Sequence, residues 1–120
     1  MILHESAEMY LETIHVLSQE QEMVRAVDIA SRMGFSKPTI SEWMHKLVDG
    51  GYVQIDGSSI TLTESGLEVA TKIYERHTVL EDFLKKLGVQ AEVAEEDACR
   101  IEHYISDETF EAIKRHSETL

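Results

Sequence analysis

The sequence predicts a mainly α-helical fold that carries one small β-hairpin. Three observations lead there. Apolar residues recur at helical spacing through most of the chain, a glycine-containing break of about three residues separates two short helical stretches, and two β-prone runs flank Asp56-Gly57-Ser58-Ser59.

Taken in order, the first helix covers about Ser6 to Ser18, where Met9, Tyr10, Ile14 and Leu17 repeat at helical spacing and Glu8 and Glu12 fall on the polar side. Val27 to Met33 forms a short helix stopped at Gly34. Ser36-Lys37-Pro38 then offers an N-cap serine with proline in the first turn of a third helix, which runs to Asp49 before the turn Gly50-Gly51. Ile29, Ala30, Met33, Ile40, Met44 and Leu47 form the inner face of this pair. Such a pair is a helix-turn-helix, whose second helix lies in the DNA major groove. Tyr52-Val53-Gln54-Ile55 and Ile60-Thr61-Leu62-Thr63 make the hairpin, placed where a wing would be. Thr63-Glu64-Ser65-Gly66 caps a long helix reaching about Leu87 and closed by Gly88, and helices over Ala91–Ile105 and Ser106 to about Ser117 follow. The fold class is therefore a winged helix-turn-helix over residues 1–70 followed by a helical domain over 71–120. The apolar positions Ile73, Val79, Leu80, Phe83, Leu84 and Leu87 exceed what so small a domain needs, which predicts a homodimer.

The 120-residue length allows one core, or a small head with a short helical module. With 42% hydrophobic and 28% charged residues, one proline and six glycines, the composition is that of an ordered soluble protein. No apolar run approaches the roughly 18 residues of a membrane span, and Met1-Ile2-Leu3-His4-Glu5 lacks the charged and apolar regions of a signal peptide. The expected location is cytoplasmic, without membrane contact. The single cysteine, Cys99, excludes an internal disulfide and leaves core packing or thiolate chemistry.

The net charge of −12 opposes nucleic-acid binding, because phosphate repels an acidic surface. Residues 1–64 hold 4 basic and 10 acidic side chains and residues 65–120 hold 7 and 13, so each part carries −6. Any DNA contact must then use a local cluster, and a bound cation would lower the acidity of the site that holds it. Ser36, Lys37, Pro38, Thr39, Ser41, Glu42, His45 and Lys46 occupy the outward side of the third helix, where a DNA reader places its contacts. Arg25 and Lys46 suit phosphates, and Glu42 suits the one pairing open to a carboxylate, cytosine N4. The alternative is a merely solvated helix face.

Cys99, Glu102 and His103 stand at i, i+3 and i+4, which puts thiolate, carboxylate and imidazole on one helix face. His77 and Glu81 form an i, i+4 pair on the preceding long helix, and Met9 and Glu12 an i, i+3 pair on the first. Singly, such pairs are what solvated acidic helices show; convergence in space would make them a metal site.

Three segments together resemble the diphtheria toxin repressor family of metal-dependent regulators. They are Ser6-Ala7-Glu8-Met9-Tyr10-Leu11-Glu12-Thr13-Ile14, the stretch Asp28-Ile29-Ala30 through Pro38-Thr39-Ile40-Ser41, and Asp97-Ala98-Cys99-Arg100-Ile101-Glu102-His103. The resemblance implies a winged-helix DNA-binding domain, a helical dimerisation domain, and metal bound where the first helix meets the second domain. It implies a primary site of Met9, Cys99, Glu102 and His103, as in the iron-responsive branch, and a neighbouring site of His77 and Glu81. That neighbouring site usually takes a histidine where this chain has Glu95. The manganese-responsive branch places carboxylates where this chain has Met9 and Cys99, yet shares the glutamate matching Glu12.

Sulfur donors favour Fe²⁺, Co²⁺, Ni²⁺ or Zn²⁺, and added carboxylates favour Mn²⁺. The expected cofactor is Fe²⁺, with Mn²⁺ as the alternative and no organic cofactor. The expected function is a metal-dependent transcriptional repressor of two-domain form, without the third SH3-like domain of many iron-responsive relatives, bound to a palindromic double-stranded operator. A metal-independent winged-helix regulator is the competing reading. A metalloenzyme is disfavoured, since the ligand set leaves no separate general base and no glycine-rich phosphate loop occurs.

Overall fold

The computed structural model describes residues 5–119, so the leader reading made on Met1–Glu5 falls almost wholly outside the described residues. Six helices and one hairpin follow in the order α1 (Glu5–Glu20), α2 (Ala26–Met33), α3 (Lys37–Asp49), β1 (Val53–Asp56), β2 (Ser59–Leu62), α4 (Glu64–Lys86), α5 (Ala91–Ile101) and α6 (Asp107–Thr119). Two compact units divide the chain, Met1–Thr71 and Lys72–Leu120. Among the described residues no helix is long and apolar enough to cross a membrane.

In the first unit, α1 buries Ala7, Tyr10, Leu11, Ile14 and Leu17, the i, i+3, i+4, i+7 stripe of an amphipathic helix. Met9, which the periodicity counts with the core, lies off this stripe and is 37% exposed. The buried stripe packs with Ile29 of α2, Ile40, Met44 and Leu47 of α3, and Val53 and Ile60 of the hairpin; Ala30 and Met33 pack against them partly buried. The turn between α2 and α3 is local chemistry. Gly34 takes φ 74, which only glycine adopts cheaply, and its N–H donates to the Ala30 carbonyl at 2.8 Å. Ser36 then caps α3, its Oγ accepting from the Thr39 N–H at 3.4 Å, with Pro38 in the first turn.

The hairpin is antiparallel, with Val53 opposite Leu62 and Ile55 opposite Ile60, so Gly57-Ser58 is a two-residue loop with Gly57 at φ 63. Both strands sit one residue from their sequence-based ends, because Thr63 leaves the ladder to serve α4. Its Oγ1 accepts from the Gly66 N–H at 3.1 Å and donates to the Gly51 carbonyl at 2.7 Å. The Ile60 N–H donates to the Val24 carbonyl at 2.8 Å, which pins the wing to the segment before α2.

Gly66 allows this join. A Cβ there would stand 2.0 Å from the Tyr52 carbonyl oxygen, so backbone would have to move. Gly66→Ala is expected to destabilise the first unit by about 2–3 kcal/mol, as overpacking against fixed atoms does. Thermal or urea unfolding of the variant checks this, and native stability would contradict it.

In the second unit, Ile73 and Leu80 of α4, Ala94 and Ala98 of α5, and Phe110 of α6 are buried. The helix expected over Ala91–Ile105 is shorter than the periodicity implies. It ends at Ile101 with Glu102 as C-cap, and a turn through His103 and Tyr104 precedes α6. The cause is a long-range competitor for the backbone. Arg76 Nη1 of α4 donates to the carbonyls of Glu102 at 3.2 Å and Ile105 at 2.8 Å, while Ser106 Oγ accepts from the Thr109 N–H at 3.1 Å and restarts the chain as α6.

Candidate metal centre and nucleic-acid interface

Of the eight residues the sequence nominates for metal, the second unit draws four into one constellation. The Glu102 carboxylate is 1% exposed and lies between two imidazoles, with Oε2 at 2.9 Å from His77 Nδ1 and Oε1 at 3.3 Å from His103 Nε2. Cys99 Sγ lies 3.6 Å from His77 Nδ1. The donor atoms of His77, Cys99 and Glu102 all fall within 4.8 Å of one another. The C-cap keeps Glu102 in helical conformation (φ −56, ψ −26), so the i, i+3 relation with Cys99 survives the end of α5.

Burial alone would push the Glu102 carboxyl up. The hydrogen bonds from His103 and His77, and the charge on those rings, outweigh it and hold the group below the usual carboxylate range. Glu102 is therefore an anion at neutral pH, which is the form that ligates. A thiolate, an imidazole and a carboxylate at these separations fit a divalent transition metal, whose bonds to such donors run about 2.0–2.3 Å.

His77 belongs to this group more closely than its nomination to a neighbouring site implies. Its Nε2 lies 3.4 Å from Glu81 Oε1 and its Nδ1 faces Glu102, so the ring stands between the two nominated sets. Glu81 also accepts from Lys85 at 3.0 Å. Glu95 is exposed on α5, outside the three residues that lie within 4.8 Å. Met9 and Glu12 lie in the first unit, exposed and half-buried respectively.

Sequence reasoning missed Arg76, Lys72 and Asp107. Arg76 pairs with the Asp107 carboxylate, which also meets Lys72 Nζ at 3.1 Å. Lys72 first, then Arg76, holds the Asp107 carboxyl below its usual range. No periodic signal marks a contact between residues 26 to 35 positions apart.

On the first unit, Arg25, Ser36, Lys37, Pro38, Ser41, Glu42, His45 and Lys46 are exposed and Thr39 is half-buried. Arg25, Lys37, Ser41 and His45 line an open groove of about 490 Å³ whose far side is the wing at Ile55 and Ser58. Three nitrogen bases thus gather on one face of a unit rich in acid. Lys46 lies 4.6 Å over the Trp43 ring and 3.5 Å from Glu42, which moderates the charge of that carboxylate. Trp43 packs on Tyr10 of α1 at 5.2 Å between ring centroids, an aromatic link that the sequence reading did not identify.

The chain matches two family models in succession. Residues 2–59 match the iron dependent repressor N-terminal DNA binding domain, and residues 63–120 the iron dependent repressor metal binding and dimerisation domain. Transcriptional regulator MntR of Escherichia coli O6:H1 is 38% identical over 106 residues, which is 88% of this chain and 68% of that protein. The diphtheria toxin repressor of Corynebacterium diphtheriae is 33% identical over 108 residues, 88% of this chain and 48% of that one. A solved manganese-dependent transcriptional repressor in complex with manganese matches with TM-score 0.84 and 35% identity, over 93% of this chain and 52% of the other. The chain thus spans about half the length of the last two.

Proposed function

Since the chain belongs to the iron-dependent repressor family, we propose that it is a transcriptional repressor whose hold on duplex DNA requires a divalent transition metal. The observation that carries the reading is the sulfur of Cys99, a ring nitrogen of His77 and a carboxylate oxygen of Glu102 within 4.8 Å of one another. In this reading residues 1–70 contact DNA, residues 71–120 bind metal and form a homodimer, and the protein works in the cytoplasm without catalysis.

Bound at this site, the cation supplies positive charge and directional bonds that join donors from separate helices. Glu102 presents its carboxylate already ionised, and His77 and His103 orient it. The family motif on α1 nominates Met9 and Glu12 as further metal ligands, and Met9 is exposed. With His77 taken as a ligand beside Cys99 and Glu102, Glu81 and Glu95 are left to a neighbouring site. A joined donor set fixes the spacing of two recognition helices in the dimer. Symmetric dimers read half-sites about one helical turn apart, so the operator is a near-palindrome. Moving the DNA-competent population from 1:99 to 99:1 needs about 5.5 kcal/mol of preference for the loaded state, which a multidentate site supports.

The favoured metal is Fe²⁺, because Cys99 adds sulfur to the set. Mn²⁺ is the second reading, favoured by the similarity to the solved manganese-dependent repressor. Selection from a random duplex pool tests the function. A near-palindrome enriched with metal and lost in chelator is expected, and enrichment that ignores chelator contradicts it.

The groove between α3 and the wing is read as the phosphate track, with Arg25 and Lys37 on phosphates there; Lys46, outside the groove, is read as a further phosphate contact, and Ser36, Pro38, Thr39, Ser41, Glu42 and His45 as facing the bases or their backbone. Lys37→Ala is expected to flatten the slope of log affinity against log salt by about 1 and to weaken all sequences alike. A salt titration checks it, and an unchanged slope would remove Lys37 from the interface.

A further inference from the structure

We propose that Arg76 is a positioning residue for the metal site, holding the turn that carries Glu102 and His103 by gripping its backbone. This rests on the reading of His77, Cys99 and Glu102 as metal ligands. Arg76 immediately precedes His77 on α4, so its side chain leaves the helix about 100° around from that ring. One face of α4 thus offers a donor to the metal while the next holds the partner segment. Arg76 is 7% exposed. Nη1 donates to the carbonyls of both Glu102 and Ile105, the two ends of the turn, and Nη2 donates to the Asp107 carboxylate at the start of α6. The Phe110 ring lies 5.4 Å from the guanidinium carbon.

Packing alone does not account for an arginine here. Its Nε is buried without a hydrogen-bond partner among the described residues, and a buried cation with an orphan donor costs free energy that an aliphatic side chain would not. What the charge supplies is a rigid fork spanning three acceptors on one segment, a geometry that lysine cannot reproduce. The carbonyls it takes stand just beyond α5, where no helical N–H reaches them. With both ends of the turn held, Glu102 Oε2 is set 2.9 Å from His77 Nδ1. The outer contacts of a ligand tune metal affinity in this way, by fixing its orientation before binding.

The test compares the full chain with Arg76→Lys and Asp107→Ala in Co²⁺ titrations followed by absorption, alongside circular dichroism and metal-free thermal unfolding. Arg76→Lys is expected to fold and to bind Co²⁺ about 10–100-fold more weakly, with altered d–d intensity. Asp107→Ala, which removes one arm at an exposed carboxylate, is expected to weaken binding in the same direction by a smaller factor. A purely structural role would lower metal-free stability yet leave the folded variants with native Co²⁺ affinity and spectrum, and that result overturns the proposal. If Arg76→Lys does not fold, Asp107→Ala decides alone: weakened binding supports the proposal and native binding overturns it. A native chain that fails to bind Co²⁺, or a thiolate-to-Co²⁺ band that persists in Cys99→Ser, removes the metal site itself and this inference with it.

Discussion

Glu102→Gln is expected to leave a folded protein that no longer binds DNA in response to metal. The side chain is the hinge of the constellation, 1% exposed, with one oxygen 2.9 Å from His77 Nδ1 and the other 3.3 Å from His103 Nε2. Glutamine preserves size and some hydrogen bonding but removes the charge that a cation requires from a carboxylate donor. Outer contacts of metal ligands are worth about 10–100-fold in affinity, so loss of a ligand's charge should exceed about 100-fold. The same substitution alters acid stability, with a definite sign. A carboxyl held below its usual value contributes stability that is fully present above the unfolded value of about 4.3 and is lost as pH falls through the folded one. Glu102→Gln lacks that contribution at neutral pH, so its stability should fall less than the native protein's on acidification. Metal titration and unfolding between pH 3 and 7 check both parts; native affinity with a native acid limb would contradict them.

Cys99→Glu is expected to move the metal response toward manganese. Cys99 is exposed on α5 with its sulfur 3.6 Å from His77 Nδ1, close enough for both to reach one cation. Thiolate favours the softer first-row ions and carboxylate favours Mn²⁺. The ratio of Fe²⁺ to Mn²⁺ affinities should fall at least about 10-fold, equivalent to about 1.4 kcal/mol. Anaerobic competition titrations measure that ratio. An unchanged ratio would mean that the sulfur does not touch the metal, and the choice between the two ions would pass to other residues.

What the sequence made legible follows from how local each determinant is. The α2–α3 turn was readable because Gly34 and Ser36 act within four residues of themselves, and the wing because Gly57-Ser58 sits between two β-prone runs. The end of α5 was not, since its apolar spacing continues past Ile101 while Arg76, 26 positions upstream, claims the Glu102 carbonyl. Helical spacing also showed that Cys99 and Glu102 share a face, but a face does not name its neighbour. The resemblance accordingly places His77 with Glu81 and the Glu95 position, although its other nitrogen meets Glu102. Met9 shows the same limit from the other side. Its hydrophobicity suits the core, yet Ala7, Tyr10, Leu11 and Ile14 already fill the buried stripe of α1, and a thioether left at 37% exposure is available for other chemistry.

The most direct test of metal-gated DNA binding is an equilibrium titration of the protein onto a duplex carrying the selected near-palindrome, at fixed salt. It is run with Fe²⁺ under anaerobic conditions, with Mn²⁺, and with chelator. Tight, sequence-specific binding with Fe²⁺, weaker binding with Mn²⁺ at equal concentration, and none in chelator is the predicted result. Equal affinity in all three would leave a winged-helix DNA-binding protein whose Met9, Cys99, Glu102 and His103 play no part in its control.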